Sequence, residues 1–175
     1  MELTQKFLKE ALDYNPDTGI FTWKIRPLSH FKNAHGMNTF NSKQANKATG
    51  AKNYGYLVIR INNVLYRAHR LAWLYVYGYM PVNQIDHINN IRDDNRIINL
   101  REATNGENCQ NLKTVCKNNK SAGLLGAYRD KGCKKFKARI TINGNIKPLG
   151  KFDTAQEAHE AYIEAKRELH GYNTL

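Results

Sequence analysis

The chain has 175 residues, with 27 Lys and Arg against 15 Asp and Glu, a formal net charge of +12 and 41% hydrophobic residues. That is the size of one or two small soluble domains, and it excludes both a large enzyme and a bare charged tail. Charged residues at 24% and aromatics at 10%, ten of them Tyr, supply a core despite a mean hydropathy of -0.66 and so exclude the disordered class.

No stretch approaches 18 consecutive apolar residues, and the start MELTQKFLKE lacks the basic-then-apolar pattern of a secretory signal. The expectation is a soluble, cytoplasmic protein with no membrane partner and no obligate protein partner. Cys109, Cys116 and Cys133 are odd in number and never spaced as a CxxC pair, which supports neither a disulfide framework nor a zinc knuckle. A pI near 9.7 favours a polyanionic partner, because a basic surface gains free energy by releasing the counterions condensed on phosphates. Asn is abundant, 21 of 175 residues, so a single Asn carries little information by itself.

At the N-terminus, Leu3, Phe7, Leu8 and Leu12 share one helical face. The pattern breaks at Asn15-Pro16-Asp17-Thr18-Gly19 before the strand-like Ile20 to Trp23, predicting a small helix and hairpin arm. Ser29 to Thr49 is polar and without a clear period, as suits an exposed loop in which His30 and His35 are solvated. Tyr56 to Ile61 and Val64 to Ala68, separated by Asn62-Asn63, read as a hairpin, since Asn tolerates the positive φ of a two-residue turn. His69 to Tyr77 is apolar at helical spacing and stops at Gly78, with Pro81 beyond it. A polar stretch from Gln84 to Arg96 follows, then Ile97 to Leu100 and a helical segment from about Thr104 to Leu112.

The basic connector 113–120 has no apolar period and marks the expected domain boundary, with net charges of +5 before it and +7 from it onward. Beyond it, Phe136, Ala138, Ile140 and Ile142 alternate with Lys135, Lys137, Arg139 and Thr141, giving a strand with one core face and one basic face. Asn143-Gly144 signals a type I′ hairpin into a strand over 146–152, and Leu125 to Arg129 can supply a third strand. Thr154 and Glu157 fit a capping box, and Ala155, Ala158, Ala161, Tyr162, Ala165 and Leu169 form a stripe of mostly small residues that can cover the sheet.

Chemistry concentrates in Ile85-Asp86-His87-Ile88-Asn89-Asn90, followed by Asn99-Leu100-Arg101 and Glu107-Asn108. The segment YRAHRLAWLYVYG…IDHINNIRDDNRIINLREAT…EN, over about residues 55 to 112, resembles the HNH endonucleases of the bacteriophage and homing kind. The resemblance implies a ββα-metal fold, with His87 as general base, Asp86 and Asn108 as metal ligands, and Asn99 fixing the geometry of the loop; Asn105 and Asn111 compete with Asn108. Such residue types suit phosphodiester hydrolysis. Histidine titrates near neutrality and can accept the proton of a water, while a hard cation on oxygen ligands, Mg2+ in preference to Mn2+, neutralises charge on the phosphate. Arg60, Arg67, Arg70, Arg92, Arg96 and Arg101 surround this segment and offer phosphate contacts.

Residues 121 to 173, with LLGAYRDKGCKKFKARITINGNIKPLGKFDTAQEAHEAYIEAKRELHGYN, resemble the Apetala-two / ethylene-response-factor DNA-binding domain. The resemblance implies a three-stranded sheet lying in the major groove with one helix behind it, and DNA contacts from Tyr128, Lys137, Arg139, Thr141 and Lys147. The expected architecture is therefore α+β: an arm over 1–54, an HNH nuclease over 55–112, a linker over 113–120 and a DNA-binding domain over 121–175. The expected activity is metal-dependent, site-selective cutting or nicking of duplex DNA. The alternative is a non-catalytic DNA-binding regulator with an inactive nuclease half.

Overall fold

The computed structural model describes residues 3–115 and 122–174. Helices and small antiparallel sheets are mixed along the chain, which divides into two compact units, Met1–Glu102 and Ala103–Leu175. The connector 113–120 lies outside the described residues from position 116 onward.

The first unit opens with α1 (Gln5–Ala11), whose N-cap Thr4 accepts a hydrogen bond from the Phe7 N–H and so satisfies one of the donors a helix start leaves unpaired. Strands β1 (Leu12–Asn15) and β2 (Ile20–Trp23) pair antiparallel across the Pro16–Gly19 turn. The expected loop over Ser29 to Thr49 is largely α2 (Ala34–Gln44), capped by the Asn33 side chain on Gly36 N–H, and β3 (Ala48–Thr49) after it pairs with β2. Tertiary contacts hold this helix: Phe40 packs edge-on to Trp23 at 5.0 Å between ring centres, and Phe31 lies 5.5 Å away. His30 is likewise not solvated. Its ring stacks on Phe7 at 4.1 Å and bonds Glu10 and the buried Arg26.

Strands β4 (Ala51–Asn53), β5 (Tyr56–Ile61) and β6 (Val64–Arg67) form a second sheet in that order. Asn62 and Asn63 have φ of 47° and 67°, as the two-residue turn requires. Helix α3 (Ala68–Tyr77) buries Leu71, Ala72, Trp73 and Leu74 and ends at Gly78 in the left-handed conformation. Strands β7 (Gln84–His87) and β8 (Leu100–Ala103) make a two-stranded sheet. Leu8, Leu12, Phe21 and Trp23 share one core with Ile59, Ile61, Leu71 and Ile85, so residues 1–54 are built into the same unit as the segment that follows them.

Helix α4 (Asn105–Gln110) opens the second unit with a capping box between Thr104 and Glu107. The chain divides before α4, rather than at the connector, and residues just after α4 bond to the end of the same unit: Lys166 Nζ donates to the Leu112 carbonyl and Thr174 Oγ1 to Asn111 Oδ1. Strands β9 (Ala127–Tyr128), β10 (Phe136–Ile142) and β11 (Asn145–Phe152) form an antiparallel sheet in the order β11-β10-β9. α5 (Ala155–Leu169), with the expected Thr154–Glu157 capping box, packs its buried Ala158 against Ala127 and Ala138 of the sheet. Among the described residues, no helix is long and apolar enough to cross a membrane.

Candidate active site

Strand β7 places Asp86 and His87 in succession, both 5% exposed. Successive residues of a strand point to opposite faces, so the two acquire different neighbours. On one side Arg101, from adjacent β8, donates Nε and an Nη2 to Asp86 Oδ2 at 2.9 and 2.8 Å. On the other, His87 lies 3.3 Å through Nε2 from Asn95 Oδ1.

The Asn95 amide nitrogen donates to the Asp93 carbonyl, which leaves its oxygen facing the imidazole. In the tautomer that donates from Nε2 to this oxygen, the basic lone pair of the imidazole lies on Nδ1. Burial pushes the His87 pKa down, against the smaller upward pull of the Asn95 hydrogen bond and nearby carboxylates. The result is a neutral, oriented imidazole, the protonation state a general base requires.

The segment between β7 and β8 is tied in from several directions. Asn99 is 6% exposed; its oxygen accepts from Asn89 N–H at 3.0 Å and its amide donates to the Asp94 carbonyl at 2.8 Å. Tyr14 OH, from the N-terminal hairpin, donates to the Asn95 carbonyl at 2.7 Å. At Gly19 the hairpin turn approaches so closely that a Cβ would sit 2.5 Å from the Arg96 backbone nitrogen. Asn95 thus has its backbone held by one element and its side chain by another.

His69, from the first turn of α3, completes the surroundings of His87. Its ring stands edge-on at 5.0 Å, and Tyr56 lies 5.4 Å from His69 and 5.9 Å from His87. Buried, with Nδ1 lacking a hydrogen-bond partner, His69 has its pKa pushed down to about 3, chiefly by burial and then by His87, Arg67 and Arg70. Asn95 and Tyr56 are neighbours of the site that sequence reasoning did not single out, and His69, in the HRL segment, reads from sequence as a structural or DNA-facing residue outside catalysis. Asn95 is one of 21 asparagines, and the other two reach His87 only through the fold.

Among the described residues, no group of three or more His, Cys, Asp or Glu side chains is placed to hold a metal. Asp86 and the neighbouring asparagine amides are the oxygen donors a hard cation takes, although Asp86 Oδ2 is engaged by Arg101. Asn108 belongs to α4 in the second unit, half-buried, its N–H bonded to the Thr104 carbonyl. Asn105 starts the same helix, and Asn111 is buried and engaged by Thr174.

In the second unit, Tyr128, Arg139 and Thr141 line one cavity of about 800 Å3. The Arg139 guanidinium lies over the Tyr128 ring at 4.7 Å, and Lys137 pairs with Asp130. Lys147 stands opposite Ile140 in the β10–β11 register, on the side of the sheet away from Arg139 and Thr141. A bulge between Ala138 and Arg139 shifts that register, and the β11 lysine aligned with Lys137 is Lys151.

Residues 66–110, about a quarter of the chain, match the family model described as HNH endonuclease. The matched stretch contains Asp86, His87, Asn95, Asn99 and Asn108 and ends before the C-terminal sheet. It supports a nuclease acting on DNA, a class that generally uses divalent metal ions. No curated protein and no solved structure shows a significant match to the chain.

Proposed function

We propose that the protein is a divalent-metal-dependent endonuclease that hydrolyses phosphodiester bonds of duplex DNA, with His87 as general base. The observation that carries this reading is the buried imidazole of His87, kept neutral by burial and aimed by Asn95, inside the stretch that matches the HNH model. His87 Nδ1 takes a proton from a water aligned with the scissile phosphorus. The water oxygen bonds to phosphorus as the bond to the 3′ oxygen breaks, and the departing oxygen takes a proton from solvent water, leaving 5′-phosphate and 3′-hydroxyl ends.

Asn95 holds the tautomer and ring direction, and Asn99 keeps the loop that carries Asn95 in place. Asp86 and Asn108 would hold the cation, Mg2+ in preference to Mn2+, which when bound neutralises charge on the phosphate and the departing oxygen. The C-terminal sheet, resembling the Apetala-two / ethylene-response-factor domain, selects the site in a homing-like manner through Tyr128, Lys137, Arg139 and Thr141, while Lys147, on the other side of the sheet, is not part of that face. Joining a binder to a cutter in one chain raises the local concentration of each for the same DNA.

A second reading, a DNA-binding regulator whose nuclease half does not cut, is favoured by one observation: Arg101 engages Asp86 Oδ2, an oxygen a cation would need. One experiment separates the two. Supercoiled plasmid is incubated with wild type or His87→Ala in Mg2+, Mn2+ or EDTA, and duplex binding is measured in parallel. The nuclease reading expects nicked or linear DNA with metal only, a rate loss of about 100-fold or more in the variant, and unchanged binding. Intact plasmid in every metal, with tight binding by both proteins, ranks the regulator first, and the same assay on DNA carrying the native target then decides between the two.

A further inference from the structure

The arginines around His87 divide by what already engages them. Arg96 is chelated by Asp94 at 2.8 and 2.6 Å, and Arg101 by Asp86. Arg70 donates to the Pro81 and Asn83 carbonyls.

Arg67 and Arg92 differ. Both side chains are exposed, and among the described residues neither meets a carboxylate within ion-pair distance. Asp93, beside Arg92, is taken by Lys52 at 2.7 Å. Both guanidiniums instead lie over one ring, that of Tyr56, at 4.4 and 5.1 Å from its centre. An aromatic face orients a guanidinium without neutralising it and leaves its N–H fork free to bind an anion. Two uncompensated cations on one ring also repel each other, a cost that an anion between them removes.

Tyr56 is the same ring that lies 5.9 Å from His87. It comes from the first position of β5, while Arg67 ends β6 and Arg92 sits in the loop after β7, with Nη1 on the Tyr54 carbonyl at 3.4 Å. Three separate elements therefore converge beside the imidazole.

We propose that Arg67 and Arg92, seated on Tyr56, form a clamp for the phosphates of a DNA strand passing His87. Tyr56 is a positioning residue: it aims both guanidiniums and fixes their distance from the imidazole. The clamp rests on the nuclease reading of this site, and its test is read by binding as well as by cutting.

Full-length His87→Ala protein is titrated with a 30-base-pair DNA duplex of mixed sequence over a range of salt concentrations. The same is done with Arg67→Ala, Arg92→Ala, Tyr56→Phe or Tyr56→Leu added. Each arginine change is expected to weaken binding about tenfold and to lower the slope of log affinity against log salt by about 0.9, the value for one lost phosphate contact. Tyr56→Leu keeps both charges but loses the platform, so affinity falls, while Tyr56→Phe binds as the parent does.

In the cutting-competent background, Arg67→Ala and Arg92→Ala slow single-turnover cleavage. An unchanged salt slope and affinity in both arginine variants overturns the clamp, whatever the plasmid assay shows. Tyr56→Leu equal to the parent overturns the role of the ring. Loss of slope in a protein that cuts nothing supports the clamp and removes only the nuclease.

Discussion

At the scale of single residues, His69 and His87 form a pair whose chemistry is set by burial. Each imidazole is about 5% exposed, each has its pKa lowered, and each is the other's neighbour. For His69 the consequence is a linkage to stability. In the unfolded chain its imidazole protonates at the ordinary value of 6.5, whereas in the folded protein it does so only at about 3. Between those values the unfolded state binds a proton that the folded state refuses. Stability from this group is full above pH 6.5 and falls as pH drops toward 3, with a slope approaching about 1.4 kcal/mol per pH unit. In urea titrations at pH 7, 6, 5 and 4, His69→Leu should lose less stability on acidification than the wild type. Identical acid slopes would show that His69 titrates normally in the folded chain. Asp86-His87 was picked out in the sequence through the resemblance of its surroundings to the HNH endonucleases, since an Asp-His dipeptide alone is a weak signal. Asn95 was not, because its value lies in two hydrogen bonds and a carbonyl contact that no local pattern encodes.

Elements carry the same distinction. Both two-residue hairpins, at Asn62-Asn63 and Asn143-Gly144, were readable because turn chemistry and strand alternation are local. So was α5, whose capping box and alanine stripe act within one helix. Helix α2 was not, for its apolar positions are few and its fit depends on Phe40 meeting Trp23. The alanine stripe predicted close packing, and the structure shows how close. Gly126, at φ +76°, sits so near α5 that a Cβ would fall 1.9 Å from the Tyr162 ring. Gly126→Ala therefore adds both a backbone penalty and a clash, and should destabilise the second unit by about 2 kcal/mol or more. Denaturation followed by far-ultraviolet circular dichroism checks this, and a shift under about 0.5 kcal/mol would mean that the ring moves aside freely.

Over the whole molecule, two hydrophobic clusters share no residue. The first joins fifteen buried apolar residues, including Phe21, Trp23, Ile59 and Leu71; the second has three buried alanines ringed by half-buried Leu124, Phe136, Leu149, Phe152 and Tyr162. Because burial of apolar area is the main favourable contribution to folding, the second unit should be the less stable. Scanning calorimetry is expected to resolve two transitions, the lower one alone moving in Gly126→Ala. A single transition that shifts as one would refute separate folding units. Both halves are basic, and that excess positive charge directs each toward the same polyanion.

The sequence by itself determined what is local or summed: the basic charge, the hairpin turns, the amphipathic strand β10, the cap of α5 and the Asp-His pair that marks the site. Those features depend on residues within a few positions of one another, or on totals that no fold alters. The tertiary structure alone decided that Arg67 and Arg92 share one aromatic ring, that Asn95 rather than another asparagine aims His87, and that Lys151 rather than Gly150 aligns with Lys137. Each of these follows from a distance between elements far apart in the chain, or from a one-residue bulge that reverses the side on which a strand residue points.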